Sequence, residues 1–262
     1  MRIGVCRDPG GVSGPVPGLD FLDAGVASVL CPRADEEAFA AAAEQTRKSP
    51  VPVEALHGFL PGDLKTTGPA VDVRAVDEYV TTACRRAGEL GVRIIVFGSG
   101  GSRSVPEGFD SDAGREQLVG HLTRWGPIAA AHDVTIVLEP LNSKENNIVN
   151  SVGEGAGMVR RVKHPNIRLL CDTYHMAVDG EGPEAILAAG ELLAHVHCAE
   201  RDGRGPLGAV GEDQRPYFRA LRQVGYDGTV ALECNWKDFD AQLPAAVAEL
   251  RRQIDTAGRV RA

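Results

Sequence analysis

TIVLE, at residues Thr135–Glu139, is a run of four β-branched or apolar residues that ends in a carboxylate. Short runs of this composition are typical of buried strands in parallel sheets. Comparable runs occur at Arg2–Cys6, Ala27–Leu30, Val53–Leu56, Arg93–Phe97, Arg168–Asp172, Ala194–His197 and Thr229–Glu233. The chain is therefore expected to contain eight strands.

The intervals between these runs mostly show apolar residues at helical spacing. Predicted helices cover Asp35–Lys48, Val73–Leu90, Asp112–His132, Gly153–Val162, Arg215–Val224 and Ala241–Asp255, with a short helix at Gly18–Ala24. Strands that alternate with helices indicate an α/β fold with a parallel sheet. Eight such units in 262 residues predict a single-domain (β/α)8 TIM barrel over residues 1–262.

An open, doubly wound sheet is the alternative fold. Such a sheet commonly carries a GxGxxG turn after its first strand, and the segment Cys6–Gly14 (CRDPGGVSG) lacks that spacing. The longer segments Gly98–Asp110 and Glu200–Asp213 follow predicted strand ends. In a TIM barrel the loops at this end build the active site, so both segments are expected to lie near it.

The charge balance and the cysteine content limit the partners of the chain. With 28 basic and 36 acidic residues, the net charge of −8 disfavours a nucleic-acid partner. No apolar run approaches the ~20 residues of a membrane span, so no membrane partner is expected. The first residues lack a basic region followed by an apolar run, so we expect no secretion signal. The six cysteines, with no CxxC pair, are then expected to be reduced thiols in a cytoplasmic protein.

Four successive predicted strands end in residues that can bind a metal ion: Glu139, Asp172, His197 and Glu233. Side chains alternate along a strand, and the alternation places all four inside the barrel. One acidic residue at a strand end often caps the next helix. Three inward carboxylates, however, would repel one another without a cation. We expect one divalent metal ion, with the oxygen-rich ligand set favouring Mn²⁺ and leaving Co²⁺, Mg²⁺ or Zn²⁺ as alternatives.

Four segments around these residues resemble a known family. They are LEPLNSKENN (Leu138–Asn147), CDTYHM (Cys171–Met176), HVHCAERDGR (His195–Arg204) and VALECNW (Val230–Trp236). In this order they resemble the xylose isomerase-like TIM barrels. Within them, they resemble the sugar phosphate isomerase/epimerase group that includes D-tagatose 3-epimerase and hydroxypyruvate isomerase. The resemblance implies that the four strand-end residues are the metal ligands and that Glu139 and Glu233 are also the catalytic acid/base pair.

The resemblance also implies residues that bind the substrate. Glu145 matches a carboxylate residue of the family that lies near the terminal hydroxyl groups of the substrate. His175 matches a histidine of the family that binds the substrate. The family has an arginine after the histidine of the seventh strand. Arg201 and Arg204 flank that position, and Arg204 is the preferred candidate.

Two further candidates follow the third and fourth predicted strands. His57 begins the segment HGFLPGDLKTTG, and Arg103 lies in the glycine-rich FGSGGSRSVPEGFD. Both segments are similar to segments of the same superfamily, and both residues are predicted to bind the substrate. Alternatively, His57 is a loop residue or a helix cap, and Arg103 forms an ion pair at the surface or at an interface.

The resemblance implies an isomerase or epimerase that acts on a carbohydrate, either a ketose or a keto-acid. The metal would acidify a carbon-bound hydrogen beside the carbonyl. One glutamate would remove that proton to give a metal-bound enediolate, and the other would return a proton. A dehydratase or lyase acting on a keto-sugar or keto-inositol is the alternative. An endonuclease IV-like phosphodiesterase and a non-catalytic sugar-binding protein are less favoured. By analogy with relatives, a homo-oligomer is expected.

Overall fold

The computed structural model describes residues 1–258. Within that range, parallel strands close into a barrel in which each strand pairs with its neighbours in sequence and β8 pairs with β1. The strands are β1 Arg2–Cys6, β2 Phe21–Gly25, β3 Val53–His57, β4 Ile94–Phe97, β5 Thr135–Leu138, β6 Ile167–Asp172, β7 Leu193–Cys198 and β8 Thr229–Leu232. The predicted TIM barrel is confirmed. Its predicted extent of 1–262 includes residues 259–262, which lie outside the described residues.

Helices cover the outside of the barrel. They are α1 Val26–Val29, α2 Glu36–Arg47, α3 Val73–Leu90, α4 Gly100–Arg103, α5 Ser111–Ala130, α6 Val152–Val162, α7 Thr173–Asp179, α8 Glu184–Ala189, α9 Arg215–Gln223 and α10 Phe239–Thr256. The longer predicted helices are confirmed to within two residues at each end, whereas α7 and α8 were not predicted. An N-cap side chain accepts a backbone N–H at the start of several helices, which fixes where they begin. These caps are Asp35, Asp72, Asp110, Ser151 and Asp238.

The second strand lies earlier in the chain than predicted. The run Ala27–Leu30 was expected to be this strand and Gly18–Ala24 a helix, but β2 occupies Phe21–Gly25 and most of the run belongs to α1. Pairing with β1 and β3 fixes the strand, and this tertiary pairing overrides local preference. Asp23 makes the segment look less apolar than a buried strand, which is why the prediction was wrong.

The barrel interior contains both apolar and polar layers. The larger apolar core lies between the strands and the helices. Inside the barrel, two small clusters consist of Phe21, Ala55 and Ala231, and of Val96, Val137 and Leu170. Val137 and Leu170 each lie two residues before a predicted metal ligand on the same strand, so strand alternation places those ligands in the next layer. No helix formed by residues 1–258 has the length and apolar character needed to cross a bilayer.

Candidate active site

The four residues predicted to bind a metal converge at the carboxyl end of the barrel. One ligand atom from each of Glu139, Asp172, His197 and Glu233 lies within 4.8 Å of the others. Three of these residues are buried and Glu233 is partly buried. Three carboxylates and an imidazole at these separations fit a divalent cation, because the carboxylates repel one another unless a positive charge lies among them.

Glycine at position 98 provides the space for one of these carboxylates. The backbone N–H of Glu139 donates to the carbonyl oxygen of Phe97 at 3.2 Å, so the two strand ends lie side by side. A Cβ atom at Gly98 would overlap with the Glu139 carboxylate. The end of β4 therefore lacks a side chain at the point where the adjacent glutamate turns into the site.

His197 lies between carboxylates on both edges of its ring. Its Nδ1 is 3.1 Å from Glu139 Oε1 and 3.1 Å from Glu233 Oε2, while its Nε2 is 2.9 Å from Asp23 Oδ2. Burial lowers the pKa of His197, but neighbouring anionic groups and the hydrogen bond to Asp23 raise it well above its usual value. Because Nδ1 lies close to both Glu139 and Glu233, this edge of the ring faces the region where the predicted metal ligands meet.

Asp172 has two functions at the same strand end. Its Oδ1 accepts the backbone N–H of Tyr174 at 2.8 Å and so caps α7. Its Oδ2 faces the site, 3.2 Å from Nη2 of Arg204. Burial raises the pKa of Asp172, and the charges of His175 and Arg204 only partly oppose this effect. One oxygen of Asp172 therefore caps a helix, while the other faces the point where the predicted metal ligands converge.

Arg204 lies against the carboxylates from the loop that follows β7. Besides contacting Asp172, its Nη2 donates to Glu233 Oε2, and its Nε donates to the Glu233 carbonyl oxygen at 3.2 Å. Its guanidinium carbon lies 4.7 Å from the centre of the Tyr174 ring. Burial lowers the pKa of Arg204, but Glu233 and Asp172 raise it more, so it is raised overall.

The loop that carries Arg204 is held by a buried carboxylate that was not among the predicted site residues. Glu200 is 0% exposed. Its two oxygens accept backbone N–H groups, at 2.6–3.0 Å, from Gly208, Val210, Gly211 and Glu212. Ionised acceptors make strong hydrogen bonds with backbone donors, so Glu200 determines the path of this loop. Its local sequence, AERDGRG, has no periodicity that would have indicated this contact.

His175 directs a ring nitrogen into the site. Asn142 Nδ2 donates to its Nδ1 at 2.8 Å, which leaves the ring hydrogen on Nε2. That Nε2 is buried, lies 3.5 Å from Asp172 Oδ2, and has no hydrogen-bond partner within the described part of the chain. A buried donor without a partner is energetically costly, so it is suited to a substrate oxygen.

Glu145 and Arg204 lie beside this histidine at the mouth of the barrel. Glu145 Oε1 accepts from Asn142 at 2.8 Å, and its Oε2 lies 4.0 Å from Nη1 of Arg204. A cavity of about 350 Å³ adjoins them, lined by Asn142, Lys144, Glu145, Tyr174, Val178 and Arg201. The structure thus brings Glu145, His175 and Arg204 together next to a space suited to a small polar molecule.

The remaining two candidates occupy different environments. The His57 side chain is 31% exposed at the end of β3, and its Nδ1 is 3.0 Å from Asp23 Oδ1. Arg103 is completely buried and donates from Nη1 to the carbonyl oxygen of Phe97 at 3.0 Å. Burial lowers the pKa of Arg103 to about 10, against the opposing charge of Glu139. Arg103 is therefore an interior residue, and its contact with a substrate stays a prediction.

Asp23 was not identified from the sequence. It is 0% exposed, and its carboxylate contacts His57, His195 and His197. Burial raises the pKa of Asp23, but these hydrogen bonds lower it well below its usual value. The alternation in FLDAG, with Phe21 and Asp23 on one face, was the signal that could have revealed it. His195 is a buried, hydrogen-bonded interior residue, with Nδ1 2.7 Å from Thr229 Oγ1.

Similar proteins share both the fold and part of the sequence. The chain is 38% identical over 120 residues to L-ribulose 3-epimerase from Methylomonas sp. (strain DH-1), covering 45% of this chain and 42% of that enzyme. It is 34% identical over 125 residues to D-psicose 3-epimerase from Ruminiclostridium cellulolyticum, covering 45% of this chain and 40% of that enzyme. Both alignments thus span less than half the length of the relative.

The fold matches over a longer range. The crystal structure of D-allulose 3-epimerase from Methylomonas sp. superposes with a TM-score of 0.81 and 23% identity, covering 97% of this chain and 98% of that chain. At this identity the similarity shows the fold alone. A family model described as xylose isomerase-like TIM barrel matches residues 21–257. The chain belongs to the xylose isomerase-like TIM barrel family.

Proposed function

We propose that this protein is a divalent-metal-dependent epimerase that acts on a ketose, of the 3-epimerase type. The observation that carries the proposal is the convergence of Glu139, Asp172, His197 and Glu233 within 4.8 Å at the mouth of the barrel. The relatives named L-ribulose 3-epimerase and D-psicose 3-epimerase support the choice of a ketose.

The same four residues would hold the metal ion, through carboxylate oxygens and the Nδ1 of His197. Their oxygen-rich composition favours Mn²⁺, with Co²⁺, Mg²⁺ or Zn²⁺ as alternatives. When bound, the ion would polarise the carbonyl of the ketose and acidify the adjacent C–H.

Glu139 and Glu233 are the proposed acid/base pair. They extend from β5 and β8, and each places a carboxylate oxygen 3.1 Å from the same atom, Nδ1 of His197. A carbon that lies between them faces one carboxylate on each side. One glutamate then removes the proton from C3 and the other returns a proton to the opposite face, which inverts the configuration. Each positioned proton transfer contributes about 10²–10⁴-fold to the rate.

Other residues bind the rest of the sugar. The Nε2–H of His175 has no partner within residues 1–258 and is proposed to donate to a substrate oxygen. Glu145 and Arg204 are proposed to bind further hydroxyl groups, because they lie 4.0 Å apart beside the cavity. His57 and Arg103 are also proposed to contact the substrate, His57 from the end of β3 and Arg103 from α4.

The proposal is tested by incubating the Mn²⁺-loaded protein with D-psicose, D-tagatose, D-fructose and L-ribulose in D₂O. We expect deuterium at C3 of at least one sugar, together with its C3 epimer, and neither change with Glu139→Gln. An aldose product with deuterium at C2 would replace epimerisation with aldose–ketose isomerisation. Loss of water would indicate a dehydratase. The absence of exchange in every sugar would contradict the proposal.

The location and assembly of the protein remain predictions. All six cysteines, which lie within residues 1–258, are free thiols. We propose on this basis that the protein functions in a reducing compartment such as the cytoplasm. A homo-oligomer is proposed by analogy alone, and size-exclusion chromatography with light scattering tests it.

A further inference from the structure

One buried carboxylate inside the barrel contacts three histidines. Asp23 Oδ1 lies 3.0 Å from His57 Nδ1. Asp23 Oδ2 lies 3.1 Å from His195 Nε2 and 2.9 Å from His197 Nε2. Of the three rings, only His197 is among the proposed metal ligands.

These contacts specify where each ring carries a hydrogen. An ionised carboxylate only accepts hydrogen bonds, so every ring nitrogen that bonds to it must be a donor. His197 therefore carries a hydrogen on Nε2. By the same rule, Nδ1 donates to Glu139 and Glu233 whenever no cation lies among these carboxylates. A cation held by them would replace the hydrogen on Nδ1, and His197 would then be neutral, with its hydrogen on Nε2 and its lone pair on Nδ1. The opposite tautomer would present an N–H to the proposed metal ion and could not bind it.

Asp23 reaches this ring from a regular part of β2. Its pairing with β1 is unbroken, and the extra residue of the register shift against β3 lies in β3, between Val53 and Ala55. In the barrel order, β1 and β8 separate β2 from β7, so the contact with His197 crosses the barrel interior. Burying a carboxylate there is costly unless donors compensate it, and the three rings supply them.

We propose that Asp23 is a positioning residue that holds His197 as the Nε2–H tautomer, with Nδ1 directed at the metal ion. The proposal rests on the metal ligands assigned under the proposed function. Through its two oxygens, Asp23 also links His57, at the end of β3, to His197. Metal-binding histidines commonly donate their second ring N–H to a carboxylate, and loss of such a partner typically lowers metal affinity 10- to 100-fold.

The test is the Mn²⁺ affinity of Asp23→Asn, measured by isothermal titration calorimetry. The amide has nearly the same shape, but its NH₂ group can donate to Nε2 and so favour the opposite tautomer of His197. We expect about 10- to 100-fold weaker Mn²⁺ binding than in the unchanged protein, with an unchanged far-ultraviolet circular dichroism spectrum.

Thr229→Val is the matched control. It removes the hydroxyl that contacts His195 Nδ1, so it disturbs the same buried cluster without touching His197. We expect its Mn²⁺ affinity to be unchanged. Equal weakening in both variants would assign the effect to the packing of the cluster and overturn the role of Asp23.

Three other outcomes separate this proposal from the proposed function. Equal Mn²⁺ affinity in Asp23→Asn and the unchanged protein would overturn the positioning role and leave the metal site intact. Failure of the unchanged protein to bind Mn²⁺ would overturn both. A second ion per chain that disappears in Asp23→Asn would make Asp23 a ligand, because Cys6, Asp23 and His57 also have ligand atoms within 4.8 Å of one another.

A second measurement needs no variant to fold. Long-range ¹H–¹⁵N spectra of the unchanged protein, loaded with diamagnetic Zn²⁺, report which nitrogen of His197 carries the hydrogen. We expect a hydrogen on Nε2 and coordination through Nδ1. Coordination through Nε2, or a hydrogen on Nδ1, would overturn the proposal.

Discussion

The two halves of the barrel contribute to the candidate site in different ways. Strands β5 to β8 supply the four residues whose ligand atoms converge. In the first half, Asp23 and His57 extend from β2 and β3, and Gly98 follows β4. Asp23 is proposed to orient His197, and Gly98 leaves space for the Glu139 carboxylate. The proposed ligands recur as similar residues at strand ends, whereas the residues that lie beside them share no common spacing.

The largest expected effect comes from the second half of the barrel. Glu139→Gln and Glu233→Gln each remove a proposed acid/base group, so we expect kcat for ketose epimerisation to fall about 10²–10⁴-fold while the fold is retained. Glu116→Gln is the matched control, because Glu116 forms an exposed ion pair with Arg161. Near-normal turnover in either site variant would rule out a mechanism with two glutamates.

Gly98→Ala tests whether the first half supports the site by leaving space. The added methyl group would overlap with the Glu139 carboxylate, and overpacking typically costs about 1–3 kcal/mol. We expect lower thermal stability and weaker Mn²⁺ binding. Gly157→Ala is the control, because a Cβ there meets no heavy atom of residues 1–258 within 4 Å. Because Gly157 lies within α6, we expect Gly157→Ala to raise the free energy of unfolding by about 0.5–1 kcal/mol. Unchanged Mn²⁺ affinity in Gly98→Ala would show that Glu139 adapts.

Glu200→Gln tests the loop that carries Arg204. The neutral side chain would weaken the hydrogen bonds from Gly208, Val210, Gly211 and Glu212. If the loop conformation that presents Arg204 is destabilised by about 1–2 kcal/mol, its population relative to other conformations falls about 5- to 30-fold. We therefore expect KM for the ketose to rise by a factor of this order. We expect Mn²⁺ affinity to change less, since Glu200 is not among the ligands. An unchanged KM would show that the loop keeps its path without this charge.

Of these variants, His57→Ala is expected to change the Mn²⁺ affinity least. It removes one donor to Asp23 Oδ1, while the contact between Asp23 Oδ2 and His197 remains. We therefore expect the affinity for the ketose to fall more than the affinity for Mn²⁺, as measured by calorimetry with each. If both fell equally, His57 would be a ligand and not a supporting residue.

The sequence predicted the second half of the barrel better than the first. Glu139, Asp172, His197 and Glu233 each end an apolar run, so strand alternation alone was enough to place them together. Asp23 interrupts its own strand with a charge, and the neighbouring run Ala27–Leu30 is more apolar, so the pattern favours the wrong segment as the strand. Its role depends on partners 34 to 174 residues away in the chain, which no local pattern encodes.

The supporting contacts of Glu200 and Arg103 were unpredictable for a related reason. Glu200 accepts backbone N–H groups, which every residue but proline has, so its partners leave no sequence signature. The glycine-rich sequence around Arg103 did not reveal that the four-residue helix α4 buries this residue. Its contact with a substrate stays a prediction.

The central claim is that the strand ends of the second half form one divalent metal site. The most direct measurement is elemental analysis of the purified protein after dialysis and reloading with Mn²⁺. We predict about one Mn²⁺ per chain, and loss of that ion in Asp172→Asn. Retention of no metal would contradict the claim, and two or three zinc ions per chain would replace it with a multinuclear site of the phosphodiesterase kind.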